Sequence, residues 1–250
     1  MKKITKKHPV SLFCIATILT AVLILMLYSY NATLQWSPGL YAILIIAIIK
    51  GKSGLNAIFK RLLFRKENWK WYLVALFLPI VLCGTSYLVI SFIEHGKLVP
   101  LEINHTPQAY LYSLLFITIG SFGEEIGWRG FMLPQLLKKY SLIISSIIIG
   151  IFWGLWHLNL QFGIGLFIIY ISMVIDFSFI MSWLYVKTKG NILASVILHT
   201  SINMCSLIFF EKIAICISSS HSLLLLYVIN TCVFAIPCAF IVRKMYKQNN

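Results

Sequence analysis

Apolar residues in this chain come in long unbroken runs, and polar residues come in short clusters between them. A helix needs ~20 apolar residues to cross ~30 Å of hydrocarbon, so the runs predict eight spans, at about 9–30, 36–50, 71–93, 109–130, 141–158, 162–186, 191–210 and 222–242. The first opens like a signal sequence, with a basic start and an apolar body. Its apolar run of ~20 residues is too long for that role and no small-residue cleavage site follows, so it is expected to stay as a span. The second is short, but Ser37 and Pro38 make a helix start, Trp36 suits an interface and Lys50 can snorkel. After it, Leu55, Ile58, Phe59, Leu62 and Leu63 recur at helical spacing among Lys60, Arg61, Arg65 and Lys66. That pattern predicts an interfacial helix over about 52–70, lying on an anionic leaflet. The fold class is therefore all-α and polytopic.

Composition agrees. With 250 residues, 60% hydrophobic and 11% charged, the chain is excluded from the water-soluble globular class, where the charged share is about 25%. The net charge of +14 would suggest nucleic acid in a soluble protein. Here the basic residues lie between apolar runs, where the positive-inside rule accounts for them, and no nucleic-acid partner is expected. In the eight-span arrangement Lys2, Lys3, Lys6, Lys7, the Lys50–Lys70 cluster, Arg129, Lys138, Lys139, Lys187, Lys189, Arg243, Lys244 and Lys247 fall on one side. Lys97 and Lys212 stand opposite, so both termini are expected in the cytoplasm. The six cysteines show no C-x-x-C spacing and read as small apolar residues.

Only three acidic residues, Glu124, Glu125 and Asp176, lie in or beside apolar helices, and ionisable groups there mark candidate functional sites. Glu125 and Arg129 are four apart, the favourable orientation for a helical ion pair, while Glu124 points about 100° around the helix. One carboxylate is then neutralised and the other is free to act as a general base; a structural ion pair with a solvated neighbour is the alternative. His157 follows Trp153 by four, as a catalytic imidazole or an interhelical hydrogen-bonding residue. His199 and Asn203 share a helical face, either to hold an oxyanion or to join two helices. Asp176 has no cation near it in sequence and is open to protonation, to pairing with Arg129, Ser172 or Ser178, or to membership of the site. Gly163 and Gly165 suggest a turn and a close helix contact, and Pro79 and Pro237 lie inside spans.

Together, E-E-x-x-x-R, aromatic-x-x-x-His and His-x-x-x-Asn on successive apolar helices resemble the CPBP family of intramembrane proteases. That family includes type II CAAX prenyl proteases and bacteriocin-processing and self-immunity proteins. The resemblance covers about residues 108–205, and departs where the family usually has Phe four before the histidine and this chain has Trp153. It implies an endopeptidase acting inside the bilayer, with Glu124 and His157 activating water, His199 and Asn203 holding the oxyanion, and Glu125, Arg129 and Trp153 in support. The family is described both as metalloproteases and with a glutamate-based mechanism. If a divalent metal such as zinc is bound, Glu124, His157 and His199 supply three ligands and leave a fourth place for water. The implied division is spans and interfacial helix over 1–107, a catalytic core over 108–210, and a last span with a cytoplasmic tail over 211–250.

The implied partners are the lipid bilayer and a membrane-associated or lipid-linked peptide or protein. The excess of lysine over arginine suits an AT-rich bacterium, whose plasma membrane is the expected location. Glu124, both imidazoles and Asn203 are expected to line one pocket, open toward the cytoplasm, with Trp128 and Trp153 closing it toward lipid. Two other readings stand beside this one: a non-catalytic immunity or scaffold protein of the same fold, and a small secondary transporter with Glu124 or Asp176 as proton carrier. The transporter calls for an internal repeat, and the sequence has none.

Overall fold

The computed structural model describes residues 2–28, 34–101, 105–160, 163–216 and 220–249, and every regular element among them is helical. The helices are α1 (Lys2–Lys7), α2 (Pro9–Tyr28), α3 (Ser37–Phe59), α4 (Trp69–His95), α5 (Pro107–Glu125), α6 (Leu133–Leu136), α7 (Leu142–Trp156), α8 (Ile164–Lys187), α9 (Ile192–Cys216) and α10 (Ser220–Asn249). Local chemistry sets their ends. Thr106 Oγ1 accepts from Ala109 N–H ahead of Pro107, Ser141 Oγ accepts from Ile144 N–H, and Asn191 Oδ1 accepts from Ala194 N–H, each satisfying a helix-start amide. Gly96, with φ 67°, ends α4 in the left-handed region.

Among the described residues, six helical stretches are long and apolar enough to cross a membrane: Pro9–Leu27, Ser37–Leu62, Lys66–His95, Ile164–Lys187, Ile192–Phe210 and Ser222–Tyr246. Their outer faces carry exposed Leu19, Met26, Phe77 and Phe240, a surface that lipid covers and water would not. The chain is an integral membrane protein. The two predicted spans outside this set are α5 and α7, the latter only 15 residues, and these carry Glu124, Glu125 and Trp153. Helix α8 packs on α7 and α10, α9 packs on α4 and α5, and the start of α3 packs on the end of α5. Cβ atoms built at Gly123 and Gly127 would come within 2.8 Å of Trp36 Cα and 2.5 Å of Pro38 Cβ, so glycine is what lets α3 press against the acidic end of α5. Gly163 (φ 93°) is a turn as expected, while the close helix contact is not seen among the described residues, since a Cβ built at Gly163 or Gly165 would meet nothing within 4 Å.

Two departures from regular helix matter for the site. Gly51 (φ 61°, ψ −153°) breaks α3 where the second span was expected to end. The segment beyond it was expected to rest on the leaflet, but it is also docked on the protein. Ile58 is buried beside Gly130, Asn191 Nδ2 donates to Leu63 O, and Asn68 Nδ2 donates to Thr188 O. The second departure follows α5, where Ile126–Met132 forms a π-helix and leads straight into α6. Pro134 lacks an N–H and crowds the carbonyl four residues back, so Gly130 O has no normal helical donor. Arg61 Nη2 supplies one at 2.7 Å, and Leu133 N–H reaches back to Trp128 O in the wider register.

Candidate active site

The end of α5 projects Glu124 and Glu125 into a buried cluster that α7 and α9 complete. Glu125 and Arg129 are fully buried, and Glu124 and His199 are each 3% exposed. Arg129 Nη1 donates to Glu125 Oε1 at 2.9 Å, and His199 Nδ1 donates to the same oxygen at 2.9 Å. Buried charges survive when paired and hydrogen-bonded, and here one carboxylate oxygen receives both. Glu124 is held differently: Trp153 Nε1 donates to its Oε2 at 2.7 Å, and its Oε1 faces His199 Nε2 at 4.0 Å.

Trp153 joins the parts of the cluster in three ways. Its indole nitrogen binds Glu124, its ring lies 4.6 Å from the Arg129 guanidinium carbon, and its carbonyl is 2.8 Å from His157 Nδ1. A carbonyl only accepts, so the proton of this bond is on His157 Nδ1, and in the neutral ring Nε2 carries the lone pair. His157 also ends α7, and the chain leaves through Leu158 at φ 45°. Tyr170 meets His157 edge to face with centroids 5.6 Å apart, and Tyr227, bound by Asn159 Nδ2, packs at a tilt against Tyr170. Some cluster atoms are sealed from solvent without a partner among the described residues: Glu125 Oε2, Arg129 Nε and Arg129 Nη2. Glu124 Oε1, His157 Nε2 and His199 Nε2 are not among them.

Of the expected residues, the structure gathers Glu124, Glu125, Arg129, Trp153 and His199 by direct contact and sets His157 one turn from Trp153. Asn203 stands one turn beyond His199 on α9, half-buried. Asp176 is elsewhere: Cys238 Sγ lies 3.7 Å from its carbonyl, Ser172 and Ser178 bond to backbone carbonyls of Ile169 and Ser146, and Arg129 belongs to Glu125. Trp128 is fully buried between Phe13 and Trp156, and Trp153 faces the carboxylate. The hydrogen bond from Trp153, the Tyr170–Tyr227 wall and Arg61 beneath Gly130 were not legible in spacing. For Arg61 the one local signal is Pro134, which orphans a carbonyl without naming the donor.

The three expected metal ligands are of zinc's nitrogen and oxygen type, yet their placement does not close on an ion. Ligands of one tetrahedral zinc stand about 3.3 Å apart, whereas Glu124 Oε1 and His199 Nε2 are 4.0 Å apart. Among the described residues no three His, Cys, Asp or Glu side chains are grouped to hold a metal.

Sequence similarity to known proteins falls on the same part of the chain. Residues 106–205 match the family described as type II CAAX prenyl endopeptidase Rce1-like. The chain is also 29% identical to CAAX prenyl protease 2 of Methanococcus maripaludis, an alignment covering 71% of this chain and 73% of the relative. The matched residues run from the cap of α5 to the second turn beyond His199, and so contain every residue of the buried cluster. On that match the chain is similar to the type II CAAX prenyl endopeptidase family over the part that holds the buried cluster.

Proposed function

We propose that the chain is an endopeptidase that hydrolyses a peptide bond in a membrane-associated or lipid-linked substrate, with Glu124 as the base. One observation carries this reading: Glu124 is pinned through Oε2 by an indole and turns Oε1 toward the imidazole of His199, beside a second imidazole. Glu124 Oε1 takes a proton from a water that His157 Nε2 orients, and the water oxygen bonds to the scissile carbonyl carbon. His199, as the imidazolium, donates to Glu125 through Nδ1 and offers Nε2–H to the developing oxyanion, and Asn203 donates beside it. As the C–N bond breaks, Glu124 returns its proton to the leaving amine. Glu125 and Arg129 touch no reacting atom and hold His199 in place.

Both termini and the basic segment Lys50–Lys70 face the cytoplasm in this reading, and the substrate approaches from that side. The test is cleavage of lipid-linked peptides by the purified protein in vesicles, with and without a chelator. Glu124→Gln should abolish turnover and leave the melting temperature unchanged, since the amide fills the same space but takes no proton. Near-wild-type turnover by that variant would end the proposal. Loss of activity on chelation, restored by zinc, would replace the side-chain mechanism with a metal one. A protein that binds such peptides but never cleaves them would be the immunity or scaffold protein of this fold.

A further inference from the structure

A second polar feature lies outside the buried cluster, at the basic end of the bundle. A cavity of about 300 Å³ opens between α3, the turn after it, and the π-helix with α6. Lys50, Arg61 and Lys138 line it, and no carboxylate does among the described residues. Lys50 and Arg61 fall at helical spacing with Gly54 and Ala57 along α3 and the turn after it, and Lys138 is brought to them from beyond α6 by tertiary packing. Arg61 is fixed in place: Nη1 donates to Tyr185 Oη at 2.6 Å and Nη2 to Gly130 O at 2.7 Å. Lys138 Nζ donates to Gln135 Oε1 at 2.8 Å, and both lysines are exposed. Three like charges around one small cavity repel one another, and an anion between them would offset that cost.

The lining also has a polarity gradient. Ile46 stands one helical turn before Lys50 on α3, about 6 Å further in, and Ile49 and Phe131 complete an apolar inner part. A cationic rim over an apolar interior matches a phosphate group with hydrocarbon attached, rather than a free ion. We propose that this cavity binds the phosphate of an anionic phospholipid headgroup, whose glycerol and acyl portion lies along Ile46, Ile49 and Phe131. Basic pockets between membrane helices are a recognised setting for such headgroups. Arg61 links the cavity to Gly130, so an occupied site also steadies the π-helix that carries Arg129. The proposal is independent of the cleavage chemistry and is tested without it.

The experiment uses the full chain in detergent and measures retained lipid by native mass spectrometry and the melting temperature. Its additions are phosphatidylglycerol, phosphatidylcholine or inorganic phosphate. Phosphatidylglycerol should be retained and should raise the melting temperature, because a ligand that binds only the folded state stabilises it; the other two should do neither. Each lysine near an anionic headgroup is worth about fivefold in affinity, so Lys50→Gln/Lys138→Gln should weaken retention about 25-fold. Lys50→Arg/Lys138→Arg should retain it. Lys66→Gln/Lys139→Gln removes the same charge from exposed positions outside the cavity and should lose at most about threefold. Equal losses in the two glutamine pairs would mean diffuse surface attraction and would overturn the site. Equal retention of phosphatidylcholine, or the same stabilisation from inorganic phosphate, would overturn the headgroup assignment.

Discussion

Replacing Trp153 with phenylalanine keeps an aromatic ring under Arg129 but removes the N–H that donates to Glu124 Oε2 at 2.7 Å. Glu124 is 3% exposed, so water does not easily replace that donor. A hydrogen bond to a charged group is worth about 1.5–3 kcal/mol, against about 0.6 kcal/mol for an average interhelical hydrogen bond between neutral groups in a membrane. The charged figure applies if Glu124 works as an ionised base, and it converts to about a 10- to 150-fold loss of kcat. A second effect acts in the same direction. Freed from the indole, Glu124 is drawn to His199 Nε2, now only 4.0 Å from Oε1, and base and oxyanion donor then neutralise each other. That new pairing returns part of the lost stability, so the melting temperature should fall by less than the activity loss implies. The assay is steady-state cleavage of a lipid-linked peptide in vesicles, with thermal unfolding on the same preparation and Glu124→Gln alone and combined. KM should stay within about twofold and the double variant should be no worse than Glu124→Gln, since both changes act on one group. A Trp153→Phe enzyme with kcat within about twofold of wild type would refute the argument that the indole positions the base.

Glu125→Gln leaves Arg129 buried without its carboxylate and weakens the bond to His199, so unfolding measurements should show a loss of about 3–5 kcal/mol along with activity. Arg61→Lys keeps the charge but cannot span Tyr185 Oη and Gly130 O with one fork, and should cost about 1–2 kcal/mol by thermal unfolding. Gly127→Ala puts a methyl 2.5 Å from Pro38 Cβ and should destabilise by about 1–3 kcal/mol, whereas Gly165→Ala, with open space around it, should be close to neutral.

Much of the architecture was readable because a bilayer imposes one-dimensional rules. Every backbone amide in hydrocarbon must be satisfied within its own helix, so apolar runs of sufficient length become spans whatever surrounds them. The i,i+4 pairing of Glu125 with Arg129 was equally local, and it persists across the change from α- to π-helix. The π-helix itself was not anticipated. Pro134 pointed to a lost hydrogen bond, but the outcome depended on whether a donor from elsewhere could take Gly130 O.

The residue types of the site were likewise present in the sequence, since charged and imidazole groups are rare in helices this apolar. Spacing could assign Glu125 to Arg129, but it could not show that His199 shares the same oxygen, 74 positions away. Nor could it give Trp153 a role beyond an aromatic ring, because an indole N–H acquires a function only from the acceptor that packing places before it. Asp176 was a lesser candidate along the chain, open to structural pairing or to membership of the site, and the packing of α8 against α10 set it apart. What the sequence alone determined was the set of helices and the short list of polar groups they carry, because hydropathy and helical period act over one or two turns. Which of those groups meet, and which atom of each is left to react, was decided by helix packing, which brings together residues that no local period relates.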